Sequence, residues 1–180
     1  MSHIHTQPGN HDLTVSAYIV RTDVADSKIL LHMHKVLKGW MQIGGHVELH
    51  ETPWAAIKRE IMEESGYNID QLRILQPSHS VKDFGDASVA HPMPFLFGTH
   101  PYGDDTTHFH TDLAFVFTAK EKPRHELGED ESTQLQLFTR QEIVNMPPEQ
   151  MVQNVRVAVL YIFDRLLGQW TPEDPSQYKD

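Results

Sequence analysis

Residues 45–67 read GHVELHETPWAAIKREIMEESGY. Thr52-Pro53 sets a capping hydroxyl before a proline at the first helical position, and Gly66 accepts the left-handed conformation that closes a last turn. The predicted helix therefore runs over Pro53–Ser65. At about 100° per residue, Trp54, Ile57 and Ile61 form an apolar stripe, and Glu60, Glu63 and Glu64 project beside it within an arc of roughly 100°. Like charges at i,i+3 and i,i+4 cost a helix about 0.2–0.5 kcal/mol per pair, so three gathered carboxylates call for a cation. Hard divalent ions, liganded by carboxylate and phosphate oxygens, fit. Taken alone, the acidic run reads more readily as a solvated helix face.

On either side of this helix the pattern alternates between strands and turns. Residues 13–20 place Leu13, Val15, Ala17 and Ile19 on one face, residues 28–36 are rich in aliphatic side chains, and both segments read as strands. Downstream, residues 71–76 read as a short strand, 95–99 as a weaker one, 109–119 as a strong one and 134–138 as the last. Residues 77–107 hold several prolines, glycines and histidines, and a loop of that length inside a domain is usually functional. Pro147-Pro148 precedes a helix in which Val152, Val155, Val159, Ile162 and Leu166 recur at helical spacing, with Gly168 after it.

The chain has 180 residues, 39% of them hydrophobic, enough for a substantial core in one domain over 1–180. Residues 1–11 are expected to form a flexible N-terminal segment and 171–180 a polar C-terminal tail. With no cysteine there is no disulfide, thiolate zinc site or thiol nucleophile. The net charge of -10 argues against binding along a nucleic-acid backbone, which is gripped by clustered Lys and Arg. No apolar run is long enough to span a bilayer and the first residues are polar, so a cytoplasmic location is the default expectation.

The segment matches a spaced pattern: glycine, five residues, glutamate, seven residues, Arg-Glu, an aliphatic residue, any residue, Glu-Glu, any residue, glycine, then a hydrophobic residue. Gly45, Glu51, Arg59, Glu60, Ile61, Glu63, Glu64, Gly66 and Tyr67 fill it. At roughly one in fifteen per position, seven fixed identities at fixed spacing arise by chance on the order of once in a million chains of this length. The segment resembles the Nudix box. The strands before it, Trp40, Gly44-Gly45 and the late strand followed by a Glu-containing turn at 138–143 also resemble that family's layout. Ile43, where the family often has proline, and Tyr67, where an aliphatic residue is commoner, depart from it.

The resemblance implies an α/β/α sandwich with a mixed sheet and a loop-helix-loop catalytic motif. It also implies metal-dependent hydrolysis of a phosphoanhydride in a small nucleotide or other organic pyrophosphate, such as a nucleoside triphosphate, a nucleotide sugar or ADP-ribose. Glu60, Glu63, Glu64 and the Gly45 carbonyl would hold Mg2+, with Mn2+ as a substitute, and Glu60 or Glu64 would serve as base. Arg59 would orient the carboxylates. Lying about 100° from Glu60, it is expected to turn away from the metal-facing direction and hold Glu51, which braces the loop. Gly66 is structural. A further acid is expected from 129–131, with Glu131 the first choice against solvated loop acids. A nucleotide-sensing domain that keeps the fold is the main rival, but such domains tend to lose box carboxylates. An isopentenyl diphosphate isomerase would need a cysteine.

Beyond the box, His32/His34 and His108/His110 form His-x-His pairs. Residues two apart on a strand share a face, so His110 and Asp112 are candidates for lining a substrate cleft, opposite Phe109, Leu113 and Phe115. A zinc site there is the less favoured alternative, since HExxH spacing is absent. Trp40 reads as a base-stacking or a packing residue. The expected partner is the small substrate rather than a membrane or nucleic acid, and a homodimer is compatible with the sequence.

Overall fold

The computed structural model describes residues 4, 9–83, 85, 88–102, 105–127 and 134–179, with 105–107 described by backbone alone. Nine strands form one sheet among the described residues: β1 His11–Arg21, β2 Lys28–Met33, β3 Trp40–Met41, β4 Ile43–His46, β5 Leu72–Gln76, β6 Leu96–Tyr102, β7 Asp105–Ala119, β8 Leu135–Thr139 and β9 Thr171–Glu173. The main path runs β3-β2-β1-β7-β5-β9, with β4 added to β1, β6 to β7 and β8 to β2. β1 and β7 are parallel from His11↔Phe109 to Arg21↔Ala119, and the other strand pairs are antiparallel. The sheet is therefore mixed, as expected.

Helix α1 (Pro53–Ser65) covers one face, packing Trp54, Ile57 and Ile61 on Val15, Ala17, Ile19, Phe115 and Phe117. Helices α2 (Arg140–Asn145) and α3 (Gln153–Tyr161) cover the other, where Ile143, Val155, Val159 and Ile162 meet Tyr18, Val20, Ile29, Leu31 and Val116. Buried on both faces, the middle of β1 reads as a continuous apolar run rather than a polar-apolar alternation.

One irregularity of the sheet positions the site. The N-terminal half of β1 pairs β4, Thr14↔His46 to Ala17↔Ile43, while its C-terminal end pairs β2, Ile19↔Leu30 to Arg21↔Lys28. The two partners share one edge of β1 in succession, leaving a fork between β4 and β2.

Several boundaries differ from the sequence reading. β2 stops at Met33, because His34 closes a turn in which its carbonyl accepts from Lys38 N at 3.0 Å and its Nδ1 from Leu37 N at 3.0 Å. The 77–107 stretch is only partly irregular, since β6 folds back on β7 as a hairpin with Gly98↔Asp112 and His100↔His110 in register. The turn expected after the last strand is α2, with a capping box between Thr139 and Glu142. The C-terminal helix widens into a π turn over Ile162–Leu166. Residues 171–180, expected as a polar tail, instead supply β9 to the edge of β5 and bury Tyr178 against Trp54, ring centroids 5.9 Å apart.

Candidate active site

The cap signals of α1 act as read. Thr52 Oγ1 accepts from Ala55 N at 3.1 Å, and Gly66, at φ 71°, donates its N–H to Met62 O. A Cβ on Gly66 would lie 2.2 Å from the His125 carbonyl oxygen, so only glycine fits. These two ends fix the rotation of the helix, and with it the direction of its glutamates.

Arg59 is the centre of the carboxylate cluster. Its Nη2 donates to Glu51 Oε1 at 2.8 Å and to the His46 carbonyl at 3.0 Å, and its Nε to Glu51 Oε2 at 3.3 Å. The expected bracing of Glu51 is therefore present, and Glu51 also accepts from Glu48 N at 3.0 Å, tying down the loop before the helix. Burial works against the charged form of Glu51, but the hydrogen bonds from Arg59 and the Glu48 amide, with the charge of Arg59, hold its carboxyl below the usual range.

Arg59 does not turn away from the other acids, as its helical angle suggested. Its Nη1 reaches Glu60 Oε1 at 2.7 Å and Glu63 Oε2 at 3.1 Å. A long side chain with a five-donor fork covers more arc than its Cα position implies. Glu60 is fully buried, Glu64 nearly so and Glu63 about half exposed.

Glu64 sits at the fork of the sheet: its Oε2 accepts from Gly44 N on β4 at 2.9 Å, and its Oε1 lies 3.9 Å from His32 Nδ1 on β2. Burial, followed by the charge of His34, pulls His32 down to about 4, so this imidazole is neutral near pH 7. A Cβ on Gly44 would fall 2.2 Å from Val15 O, so glycine is what lets β4 approach β1 here. Gly45 follows in β4, paired with Val15.

These contacts gather Glu51, Glu60, Glu63, Glu64, Arg59 and the β4 backbone around one helix face. A family profile for the NUDIX domain matches residues 11–161, spanning β1 through the last residue of α3. The chain belongs to the NUDIX family. Among solved structures, a NUDIX-family hydrolase from Clostridium perfringens is similar at 28% identity and TM-score 0.69, covering 86% of this chain and 97% of its own. An Ap4A hydrolase from C. elegans shares the fold at 16% identity and TM-score 0.60, with coverage of 88% and 100%. So does the NUDIX domain of Shewanella oneidensis NrtR, crystallised with ADP ribose, at 13% identity and TM-score 0.57, with coverage of 88% and 89%. No curated protein matches the chain by sequence. The chain is a NUDIX pyrophosphohydrolase in the general sense, an enzyme acting on pyrophosphate linkages.

Both departures from the usual NUDIX pattern are accommodated by packing. Ile43 is fully buried in the α1-side core, and Tyr67 is buried with its hydroxyl donating to the Glu121 carbonyl at 2.8 Å. Trp40 on β3 stands edge-on to Phe138, centroids 4.8 Å apart, against the α3-side core. Glu129, Asp130 and Glu131 lie outside the described residues.

His110 and Asp112 share a face, as alternation required, and it is the α3-side face rather than that of α1. There Asp112 Oδ1 accepts from Thr14 Oγ1 at 2.9 Å and Ser16 Oγ at 3.0 Å, and burial pushes its carboxyl up despite these bonds. Two residues from other strands join this face beside His110. His110 lies with Asp12 and His46, their ligating atoms all within 4.8 Å of one another. Sequence reasoning missed Asp12 and His46, because only the pairing of β1 with both β7 and β4 brings them to His110.

Among the described residues, no helix is long and apolar enough to cross a membrane.

Proposed function

We propose that this NUDIX enzyme hydrolyses a small nucleotide pyrophosphate with a divalent cation, Mg2+ or Mn2+ in its place, held by Glu60, Glu63, Glu64 and the Gly45 carbonyl. The observation that carries the reading is the Arg59 clamp, which gathers Glu51, Glu60 and Glu63 at 2.7–3.1 Å around one guanidinium and ties them to the His46 carbonyl beside Gly45. One positive charge against three carboxylates leaves a negative surplus in a partly buried place, and a hard cation with oxygen ligands suits it. When bound, such an ion neutralises charge on the phosphoryl oxygens and on an attacking water.

The chain's own residues supply the rest. Arg59 and Glu51 position the carboxylates, Gly44 N–H orients Glu64, and Glu60 or Glu64 accepts the proton from water. His110 and Asp112 stand on the face of β7 turned away from α1. Solved relatives named for Ap4A and crystallised with ADP ribose support adenosine polyphosphates and ADP-ribose as the first compounds to test.

The test is a panel of nucleoside triphosphates, nucleotide sugars, ADP-ribose and dinucleoside polyphosphates with Mg2+, products separated by chromatography. Glu63→Gln and Glu64→Gln should each lower turnover at least about a hundredfold while leaving the unfolding transition in place, and chelator should abolish activity. Full turnover in excess chelator would end the proposal.

A further inference from the structure

On the sheet face turned away from α1, three strands deliver metal-binding side chains to one point. Asp12 and His110 are directly opposed in the β1–β7 pairing, and His46 on β4 is opposed to Thr14, two residues along β1 from Asp12. Residues two apart on a strand, and those opposed across a pair, share a face, so the backbone alone commits these three to one side. Asp12 Oδ2 is 3.5 Å from His46 Nε2, and the Asp12, His46 and His110 donor atoms all lie within 4.8 Å of one another. Asp12 is fully buried and His46 nearly so. His108 stands behind them, its Nε2 3.3 Å from the same Asp12 oxygen.

We propose that Asp12, His46 and His110 form a second metal site, for a transition-metal cation of the Zn2+ class, separate from the box carboxylates. The donor set argues for this class. Two imidazoles and one carboxylate are nitrogen-rich, which suits Zn2+ and its neighbours rather than Mg2+, and three protein donors are the number that open zinc sites use. Donors bound at about 2.0–2.1 Å in a tetrahedral arrangement lie about 3.3 Å apart, so the His46–Asp12 pair is already near that spacing and the widest pair must close by roughly 1.5 Å. His108, with its Nε2 3.3 Å from that Asp12 oxygen, acts as an outer positioning residue beside the carboxylate. His46 joins this site to the box, since its carbonyl accepts from Arg59 while its side chain faces Asp12.

The probe is Zn2+ itself, titrated into the chelator-stripped full chain against a chromogenic competitor, with Mg2+ in excess. One Zn2+ equivalent should bind, and should still bind in the Glu60→Gln/Glu64→Gln double variant. His110→Gln and Asp12→Asn should weaken it by more than about a hundredfold, and His108→Phe by about ten- to a hundredfold. Should Asp12→Asn fail to fold, His110→Gln, at a partly exposed position, carries the test. Co2+ in the wild type should add the strong visible absorption of a low-coordinate nitrogen–oxygen site. Equal Zn2+ affinity in wild type and His110→Gln would overturn the proposal. So would loss of the Zn2+ equivalent in the box double variant, or a Co2+ spectrum typical of six oxygen ligands.

Discussion

Arg59 joins four acceptors that come from three parts of the chain: Glu51 in the loop, Glu60 and Glu63 on its own helix, and the His46 carbonyl on β4. A lysine keeps the charge but presents a point rather than a planar fork, so it cannot serve these acceptors together. Arg59→Lys should therefore lower turnover and weaken metal binding without abolishing either. Glu51→Gln removes the charge at the other end of the same bond pair and should resemble it. If the two act through one interaction, the double variant loses less than the sum of the single effects, with a coupling of about 0.5–3 kcal/mol in kcat/KM. Additive effects would assign Arg59 to direct contact with substrate phosphate.

β9 and the turn after it show how a short element can matter to the helix that carries the site. Tyr178 packs on Trp54 and donates its hydroxyl to Glu173 Oε2 at 2.7 Å, a carboxylate that also receives Lys82 and Gln177. Hydrogen bonds to charged groups are worth about 1.5–3 kcal/mol, so Tyr178→Phe should lower unfolding stability by that order, read as a shifted urea midpoint with an unchanged slope. An unchanged midpoint would make β9 ornamental. None of this was legible beforehand. Thr171–Glu173 is a three-residue strand with a proline in it, and its partner β5 lies nearly a hundred residues upstream. β3, β4 and α2 were too short for periodicity to register. α1 was legible to the residue, because Thr52, Pro53 and Gly66 are local signals. The carboxylate cluster came with it. The contacts of Arg59 with Glu60 and Glu63 did not, since side-chain reach is not contained in a helical wheel, and Asp12 could not be joined to His110 without the register of β1 on β7.

Charge and topology act on the protein together. With a net charge of -10, long RNA should bind weakly at physiological salt, and fluorescence anisotropy with a labelled oligonucleotide should show no tight, steeply salt-dependent association. Tight binding that collapses as salt rises would reveal a local basic groove. The sheet is also assembled from distant parts, because β1 pairs with β7 across most of the chain and α1 lies between them in sequence. Contacts of such separation slow folding. During synthesis, Trp54 and the carboxylate helix leave the ribosome long before Phe115, Phe117 and Tyr178, the rings that enclose the indole. A nascent chain halted before β9 therefore carries an incompletely covered tryptophan and an unpaired β5 edge, the kind of surface that chaperones and proteases act on. The closing strand thus delays full cover of the tryptophan until residues 171–178 have emerged.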